Sequence, residues 1–350
     1  MSFQIRLIKT AAIAVLAMAT CIGAAQSQTT YPKRITGTTV TITSSGVART
    51  FIVHVPPTPK TSPGAVMIFH GGSGSPTAGA SMQGLTLMDT LADRDGFYTV
   101  YPQALNGHWT DGRVSTAGGA NDVQYVKDII AYLTKTYKVS TAKVFSAGIS
   151  NGGIMQYQLA CTAPGVMRAI APIAADITLA MQSTCKPTAI TPMIMFMGTS
   201  DQYMPYGGGY PVIYSGKVTT TAGTTTGTTT GTTTGTSAKF VSVAGFSAAA
   251  TGTQTDEFAS APNTAAGFAT MNGCKSSAST NLSDKALDGT TVTKLLYNGC
   301  TLGGGAALYT IVNGGHTWPG SKGASASMGL VTMDISANEE MVAFFKLFGL

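Results

Sequence analysis

Charged side chains are scarce in this sequence. Asp, Glu, Lys and Arg make up only 10% of its 350 residues, against about a quarter in ordinary soluble domains. The chain has no cluster of Lys and Arg with interleaved aromatic residues, so we expect no nucleic acid among its partners. Ser, Thr, Gly, Asn and Gln must instead cover the surface, which suits an exported protein better than a cytosolic one.

Long hydrophobic runs are also missing. The apolar stretch that follows Arg6 and Lys9 is shorter than the roughly 20 residues that a membrane-spanning helix needs. A positive start, a short apolar stretch with small residues at its end and a polar continuation are typical of an export signal. We therefore predict a cleaved signal peptide at residues 1–28, an extracellular or periplasmic location, and no membrane association after cleavage.

Motifs for nucleotides and metals are absent as well. The loop around Gly71 and Gly72 fits neither GxGxxG nor GxxxxGK[ST], which argues against nucleotide binding. The chain has no CxxC pair and no histidine at ligand spacing, which disfavours a zinc site. We expect neither a metal nor a cofactor.

Four cysteines would remain after signal cleavage: Cys161, Cys185, Cys274 and Cys300. An even number of cysteines in an exported chain predicts disulfides, and four cysteines allow three pairings. We favour pairing between neighbours in sequence, which joins Cys161 to Cys185 and Cys274 to Cys300.

Strand-like and helix-like segments alternate along most of the chain. Two segments with period-2 alternation, "TTVTITSSG" and "RTFIVHVPP", predict an antiparallel pair, whereas the continuous apolar run "GAVMIFHGG" indicates a strand buried on both faces. Later strands are separated by helices, which predicts an α/β fold with a mainly parallel sheet flanked by helices.

A Thr-rich stretch at residues 216–238 interrupts this pattern. The tetrad GTTT occurs there three times in a row, and this composition cannot build a core. A Thr-rich spacer or a surface-adhesive loop is the alternative, and we favour a disordered insertion. Candidate site residues lie on both sides of it, so we predict a single catalytic domain over residues 29–350.

Ser150 is the candidate nucleophile. It lies in "GISNG" between the apolar run "KVFSAG" and a helix-like segment, and a serine on a sharp strand-to-helix turn is typical of α/β-hydrolases. In that fold the order along the chain is Ser, acid, His. Of the four histidines, only His316 follows Ser150, and it lies directly after a predicted strand. His316 is therefore the predicted base.

Asp201 is the predicted acid, because it follows the strongly apolar strand "PMIMFMG" at the edge where catalytic groups gather. Asp176, after the preceding strand, is its rival. The oxyanion of an acyl-transfer transition state needs fixed backbone N–H donors. We assign these to Asn151, at the start of the helix, and to Gly72 in "FHGGSGS", with Ser73 as the alternative to Gly72.

Aromatic residues cluster near these positions. Trp109 and Trp318, the two tryptophans, lie in glycine-rich loops, so we expect both to be exposed and to contact substrate. Tyr203 and Tyr206 follow the predicted acid and are further candidates for lining the cleft.

Several blocks of the sequence resemble those of secreted polyhydroxybutyrate-depolymerase-like esterases, a group that includes feruloyl-esterase-like and LpqC-type proteins. The blocks are "VMIFHGGSGS", "YPQALNGHWTDGR", "GISNGGIMQYQLAC", "MGTSDQYMPYGGG", "MNGC" and "GGHTWPG". The resemblance runs from about Arg49 to the C-terminus, apart from the Thr-rich stretch. It implies an α/β-hydrolase that cleaves carboxylic esters without a cofactor, with Ser150, Asp201 and His316 as the triad. It also implies the same two disulfides.

The main hypothesis is therefore a monomeric, secreted serine esterase that forms an acyl-enzyme. Hydroxyalkanoate oligomers or polyester are the substrates that we expect first. The alternatives are feruloyl or acetylxylan-type esters of plant cell walls, a catalytically silent polymer-binding protein of the same fold, and a peptidase that uses the same triad.

Overall fold

A computed structural model describes residues 37–210 and 256–350 of the chain. The predicted signal peptide and the Thr-rich stretch lie outside the described residues. In chain order, the strands are β1 (Thr38–Ser44), β2 (Val47–His54), β3 (Ala65–Phe69), β4 (Tyr98–Pro102), β5 (Val144–Ile149), β6 (Ala169–Ile173), β7 (Met193–Gly198), β8 (Ser276–Asn281), β9 (Thr291–Asn298) and β10 (Ala306–Val312). The α-helices are α1 (Ala78–Thr86), α2 (Met88–Asp95), α3 (Asp122–Tyr137), α4 (Asn151–Thr162), α5 (Leu179–Thr184), α6 (Ala261–Met271) and α7 (Ala337–Lys346).

The strands described form one sheet in the order β1-β2-β4-β3-β5-β6-β7-β10-β9-β8. The central strands, from β4 to β10 in this order, are parallel, and the outer strands on each side are antiparallel. The predicted antiparallel pair at the start of the domain is confirmed as β1 and β2. The predicted fold class, an α/β protein with a mainly parallel sheet, is confirmed too.

Helices cover both faces of the sheet. Strand β3 shows why, because Met67 packs into one hydrophobic core while Val66 and Ile68, on the opposite face, pack into the other. The first core also receives side chains from α3, α4 and α6, and the second from α1, α2 and α7. Continuous apolar runs in the central strands are thus explained by burial on both faces.

Two disulfides confirm the predicted pairing of neighbouring cysteines. The bond between Cys161 and Cys185 joins the end of α4 to the residue after α5, and the bond between Cys274 and Cys300 joins the two ends of the β8–β9 hairpin. In the part of the chain that the structure describes, no helix is long and apolar enough to cross a membrane.

Candidate active site

The three predicted catalytic residues lie at one edge of the sheet. Ser150 directly follows β5, Asp201 follows β7 and His316 follows β10. These strands are parallel members of the run β5-β6-β7-β10, so their carboxyl ends meet at the same edge. Open α/β sheets bind ligands at this edge.

Ser150 is held in a strained backbone conformation. Its φ of 56° and ψ of −126° are rare for a residue with a side chain. Hydrogen bonds fix this conformation, because Ser150 N–H donates to the carbonyl of Ile173 at 3.0 Å and Ile154 N–H donates to the carbonyl of Ser150 at 2.8 Å. The strand end and the helix start therefore impose the turn that exposes a nucleophile.

Glycines on both sides of Ser150 allow this turn to pack. A Cβ atom at Gly148 would lie 2.3 Å from the carbonyl oxygen of Gly152, and one at Gly152 would lie 2.4 Å from the carbonyl oxygen of His70. Both distances are too short for a side chain. The glycines of "GISNG" are thus explained by close backbone contacts between β3, β5 and α4.

His316 and Asp201 are hydrogen-bonded. His316 Nδ1 lies 2.8 Å from Asp201 Oδ2, and both side chains are buried. The other carboxylate oxygen, Oδ1, accepts from the N–H groups of Tyr203 and Met204, each at 2.8 Å. Because an ionised carboxylate only accepts hydrogen bonds, we assign the imidazole proton to Nδ1, which leaves Nε2 free to accept a proton from a hydroxyl.

The rival acid, Asp176, does not reach the histidine. Its side chain is completely buried, and neither of its carboxyl oxygens has a hydrogen-bond partner among the described residues. Burial raises its pKa well above the usual range for aspartate. The carboxylate that orients His316 in this structure is Asp201.

No hydrogen bond joins Ser150 to His316 within the described residues. Such contacts are often long before substrate binds and shorten in the complex. The structure therefore brings the predicted acid and the predicted base together and places the predicted nucleophile at the same edge of the sheet.

The predicted oxyanion donors lie beside the nucleophile. A Cβ atom at Gly71 would be 3.4 Å from the Cβ of Ser150, and one at Gly72 would be 3.7 Å from the Cβ of Asn151. Asn151 is the first residue of α4, and the N–H groups of the first helical turn have no partner within their helix. The N–H groups of Gly72, in the loop after β3, and of Asn151, at the start of α4, thus lie close to each other and to Ser150.

His70 fixes this loop, a role that the sequence analysis missed. Its Nε2 accepts a hydrogen bond from Ala104 N–H at 3.0 Å, so the ring proton is on Nδ1, which donates to the carbonyl of Gly71 at 2.7 Å. Burial lowers the pKa of His70 and keeps the ring neutral. With this carbonyl held, the N–H of Gly72, on the opposite side of the same planar peptide, is held as well.

The expectation that Trp109 is exposed was wrong, since its side chain is completely buried. Its indole N–H donates to the carbonyl of His70 at 2.9 Å, and its ring packs against Phe69 with centroids 5.0 Å apart. The backbone of Trp109 also donates to and accepts from the side-chain amide of Asn151. Trp109 therefore holds His70 and Asn151, the residues next to and at the predicted oxyanion donors, in place.

Trp318 is buried too, against expectation. It belongs to the second hydrophobic core, and its indole N–H donates to Asn338 Oδ1 at 2.9 Å. Tyr203 and Tyr206 are half-buried. The ring of Tyr203 lies 5.1 Å from that of His316, whereas the Tyr206 hydroxyl bonds to Thr310 on β10 at 2.8 Å. Of these aromatic side chains, Tyr203 is the one in contact with the predicted triad.

A paired carboxylate holds the Asn151 side chain. Asp111 accepts from Asn151 Nδ2 at 2.5 Å and forms an ion pair with Arg113 at 2.8 Å. The glycine-rich loop "NGHWTDGR" thus holds the side chain of Asn151 in place through Trp109 and Asp111, a role that its composition alone did not indicate.

Among the described residues, no group of three or more His, Cys, Asp or Glu side chains could hold a metal ion.

The mainly parallel sheet flanked by helices is that of an α/β-hydrolase fold, and Ser150, Asp201 and His316 occur in the order along the chain that is typical of this fold. The solved structure of an acetyl xylan esterase from Aspergillus awamori has a similar fold, with a TM-score of 0.51 and 13% identity, over 89% of this chain and all of that one. The chain belongs to the X-Pro dipeptidyl-peptidase (S15) family, whose family model matches residues 53–240, more than half of the chain.

Two relatives that are similar to part of this chain are esterases. Feruloyl esterase B of Piromyces equi is 32% identical over 153 residues, which cover 43% of this chain and 27% of that protein. Acetylxylan esterase A of Aspergillus oryzae is 29% identical over 187 residues, 48% of this chain and 60% of that protein. The chain thus spans between a quarter and three-fifths of the length of these two curated relatives. Both relatives are carboxylic-ester hydrolases, the reaction class predicted from the sequence.

Proposed function

We propose that this protein is a serine carboxylic-ester hydrolase that acts through an acyl-enzyme on acetyl or feruloyl esters of plant cell-wall polysaccharides. The observation that carries the chemistry is the hydrogen bond between Asp201 and His316, at the sheet edge where Ser150 sits on its strained turn. The esterase relatives support the substrate class.

In the proposed mechanism, Ser150 Oγ attacks the ester carbonyl carbon while His316 Nε2 takes the hydroxyl proton. Asp201 stabilises the resulting imidazolium, and the N–H groups of Asn151 and Gly72 stabilise the oxyanion. Collapse of the tetrahedral intermediate breaks the bond to the alcohol oxygen, which receives the proton from His316. Water then attacks the acyl-enzyme with His316 again as base, which releases the acid and restores Ser150.

The substrate expected first from the sequence, a hydroxyalkanoate polyester, finds less support than the alternative. The feruloyl and acetylxylan esterases among the relatives favour the plant cell-wall esters. A substrate panel tests the choice directly. We expect release of acetate from acetylated xylan or of ferulate from methyl ferulate, at a higher kcat/KM than hydrolysis of hydroxybutyrate oligomers.

Ser150→Ala tests the chemistry. We expect hydrolysis of p-nitrophenyl acetate to fall to background because the nucleophile is gone, with an unchanged circular dichroism spectrum. A fluorophosphonate should label wild-type protein at Ser150 and leave the variant unlabelled. Full activity in Ser150→Ala would refute the mechanism, and absence of both activity and labelling in wild type would favour the silent polymer-binding protein.

Peptidase activity is the second candidate, because the matching family model is that of an X-Pro dipeptidyl-peptidase. Release of a dipeptide requires recognition of a free amino group, for which a carboxylate is the natural partner. Near the oxyanion loop, Asp111 is already paired with Arg113, and Asp122 with Arg49. We therefore expect cleavage of Gly-Pro-p-nitroanilide to be far slower than cleavage of p-nitrophenyl acetate.

Export is part of the proposal. Two disulfides are typical of proteins that fold in an oxidising compartment. Plant cell-wall polysaccharides are also substrates that an enzyme meets outside the cell. Fractionation of the native host, with activity in the medium or periplasm, would test this location.

A further inference from the structure

Asp256 is a buried carboxylate that the catalytic mechanism does not use. Its two oxygens accept hydrogen bonds from the N–H groups of Val114, at 2.8 Å, and of Ser115, at 3.2 Å. Val114 is 142 residues away in the sequence and begins a short 3₁₀ helix, Val114–Thr116. The first N–H groups of a helix have no partner within that helix. Asp256 therefore supplies the acceptors that hold this 3₁₀ helix.

The 3₁₀ helix is in turn bonded to Asp111. Thr116 Oγ1 donates to Asp111 Oδ1 at 2.9 Å. Arg113, the residue directly before the helix, donates to the same carboxylate through its backbone N–H at 3.2 Å and through Nε at 2.9 Å. Asp111 also accepts from the side chain of Asn151 at 2.5 Å. An unbroken series of bonded groups thus leads from Asp256 to Asn151, a predicted oxyanion donor.

Asp256 belongs to a segment that also holds the loop of the predicted acid. We call residues 256–259 the tie segment. Within it, Phe258 exchanges two backbone hydrogen bonds with Gly209, at 2.8 and 2.9 Å. Gly209 lies in the loop after β7 that carries Asp201. The tie segment also pairs with the backbone after β6. It therefore joins the loop of the acid to the loop that supports the oxyanion donor.

We propose that Asp256 is a positioning residue for the oxyanion site, which acts through the 3₁₀ helix and Asp111 to keep the N–H of Asn151 in place. The inference rests on the proposed function and adds a residue outside the predicted triad to it. Donors that are fixed before the reaction stabilise an oxyanion without reorganisation. A displaced donor therefore weakens binding of the transition state more than binding of the substrate. An Asp256 with a merely structural role would affect stability and leave kcat unchanged.

Asp256→Ala tests the proposal with p-nitrophenyl acetate as substrate. We expect kcat to fall about tenfold, less than for complete loss of an oxyanion donor, and KM to change by less than about twofold. A trifluoromethyl ketone, which adds to Ser150 as a tetrahedral oxyanion, should bind about tenfold more weakly to the variant. Asp256→Asn keeps one acceptor oxygen, so its loss of kcat should be smaller. This milder variant provides the measurement if Asp256→Ala does not fold.

Asp334→Ala is the matched control. Asp334 also accepts from two backbone N–H groups, those of Lys285 at 2.7 Å and Ala286 at 2.8 Å. It connects the loop between β8 and β9 to the residues before α7. We expect this variant to lose thermal stability and to keep the kcat of wild type. The positioning role would be overturned if Asp256→Ala kept the kcat of wild type, or if both variants lost kcat equally.

A double-mutant cycle tests the route through Asp111. If Asp256 acts through that carboxylate, adding Asp256→Ala to Asp111→Asn should lower kcat no further, whereas losses that multiply would reject this route. Failure of the positioning role is distinguishable from failure of the proposed function. Activity that depends on Ser150 but is unchanged in Asp256→Ala rejects the positioning role alone. Full activity in Ser150→Ala would instead reject the proposed function.

Discussion

The imidazole of His316 is held by Asp201 through a single 2.8 Å hydrogen bond, and the carboxylate is itself held by two backbone N–H groups. The two backbone hydrogen bonds to Asp201 matter for the orientation of His316 as much as the hydrogen bond between Asp201 and His316 does. With Oδ1 occupied by Tyr203 and Met204, only Oδ2 faces the ring, so the ring has one orientation and one tautomer. The orientation of the His316 ring is therefore set by Asp201 before any contact with Ser150 forms.

Asp201→Asn should reduce kcat for p-nitrophenyl acetate by roughly 10³–10⁴-fold while the protein still folds. The amide oxygen can still accept from the two backbone N–H groups, but the amide nitrogen would face His316 Nδ1 as a donor. That favours the tautomer with the proton on Nε2, which cannot accept the proton of Ser150. Asp176→Asn, at the rival position, is the control. An equal loss in both variants would contradict the assignment of the acid.

His70→Ala should lower kcat by about 10²-fold and change KM much less, because one oxyanion donor loses its support. His54→Gln is a matched control, since His54 is also buried and hydrogen-bonded, to Asp93 at 2.7 Å. It pairs with Thr99 near the start of β4 and so lies at the opposite edge of the sheet. Steady-state kinetics and thermal melts of both variants distinguish the two roles. If both lose stability and neither loses kcat, His70 is only structural.

The triad candidates could be predicted because each depends on a local signal. Ser150 is marked by glycines that the tight turn requires, and Asp201 and His316 each follow a strongly apolar strand. The order of the parallel strands then brings the strand ends to one edge. The disulfide pairing could also be predicted from the sequence, because each bond joins two cysteines that are neighbours in the order of cysteines along the chain.

The environment of the triad could not be predicted in the same way. Trp109 lies in a loop whose composition is typical of a protein surface. Its side chain is nevertheless buried, and the residue forms hydrogen bonds with His70 and Asn151. Strand β8, "SSASTN", is exposed along its length and forms by pairing with β9, so it has no apolar pattern to detect. In both cases the structure depends on partners distant in sequence.

Removal of the disulfide between Cys161 and Cys185 should destabilise the folded protein by about 3 kcal/mol, because the bond closes a loop with a sequence separation of 24 residues in the unfolded chain. For the double variant Cys161→Ser/Cys185→Ser we expect Tm to fall by roughly 6–12 °C. Esterase activity at 25 °C should persist, since neither residue contacts the candidate triad. Differential scanning calorimetry measures the shift, and an unchanged Tm would mean that the bond is not formed in solution.

Asp176→Asn should change how stability depends on pH. The carboxyl is completely buried near Asp201, Tyr157 and Tyr206, and burial raises its pKa well above the unfolded value of about 3.9. The folded protein therefore holds a proton that the unfolded chain releases above about pH 4. Stability that this group contributes is present below that pH and is lost as pH rises, by up to about 1.4 kcal/mol per pH unit.

Asparagine carries no such proton, so the variant should gain stability relative to wild type as pH rises from about 4.5 to 7. Urea unfolding at several pH values measures the free energy of unfolding of wild type and of Asp176→Asn. The contributions of the other titrating groups largely cancel in the difference between the two proteins. Because the direction follows from burial and not from catalysis, inactive Ser150→Ala can serve as the background. A difference that is constant over this range would show that Asp176 ionises as readily in the folded protein as in the unfolded chain.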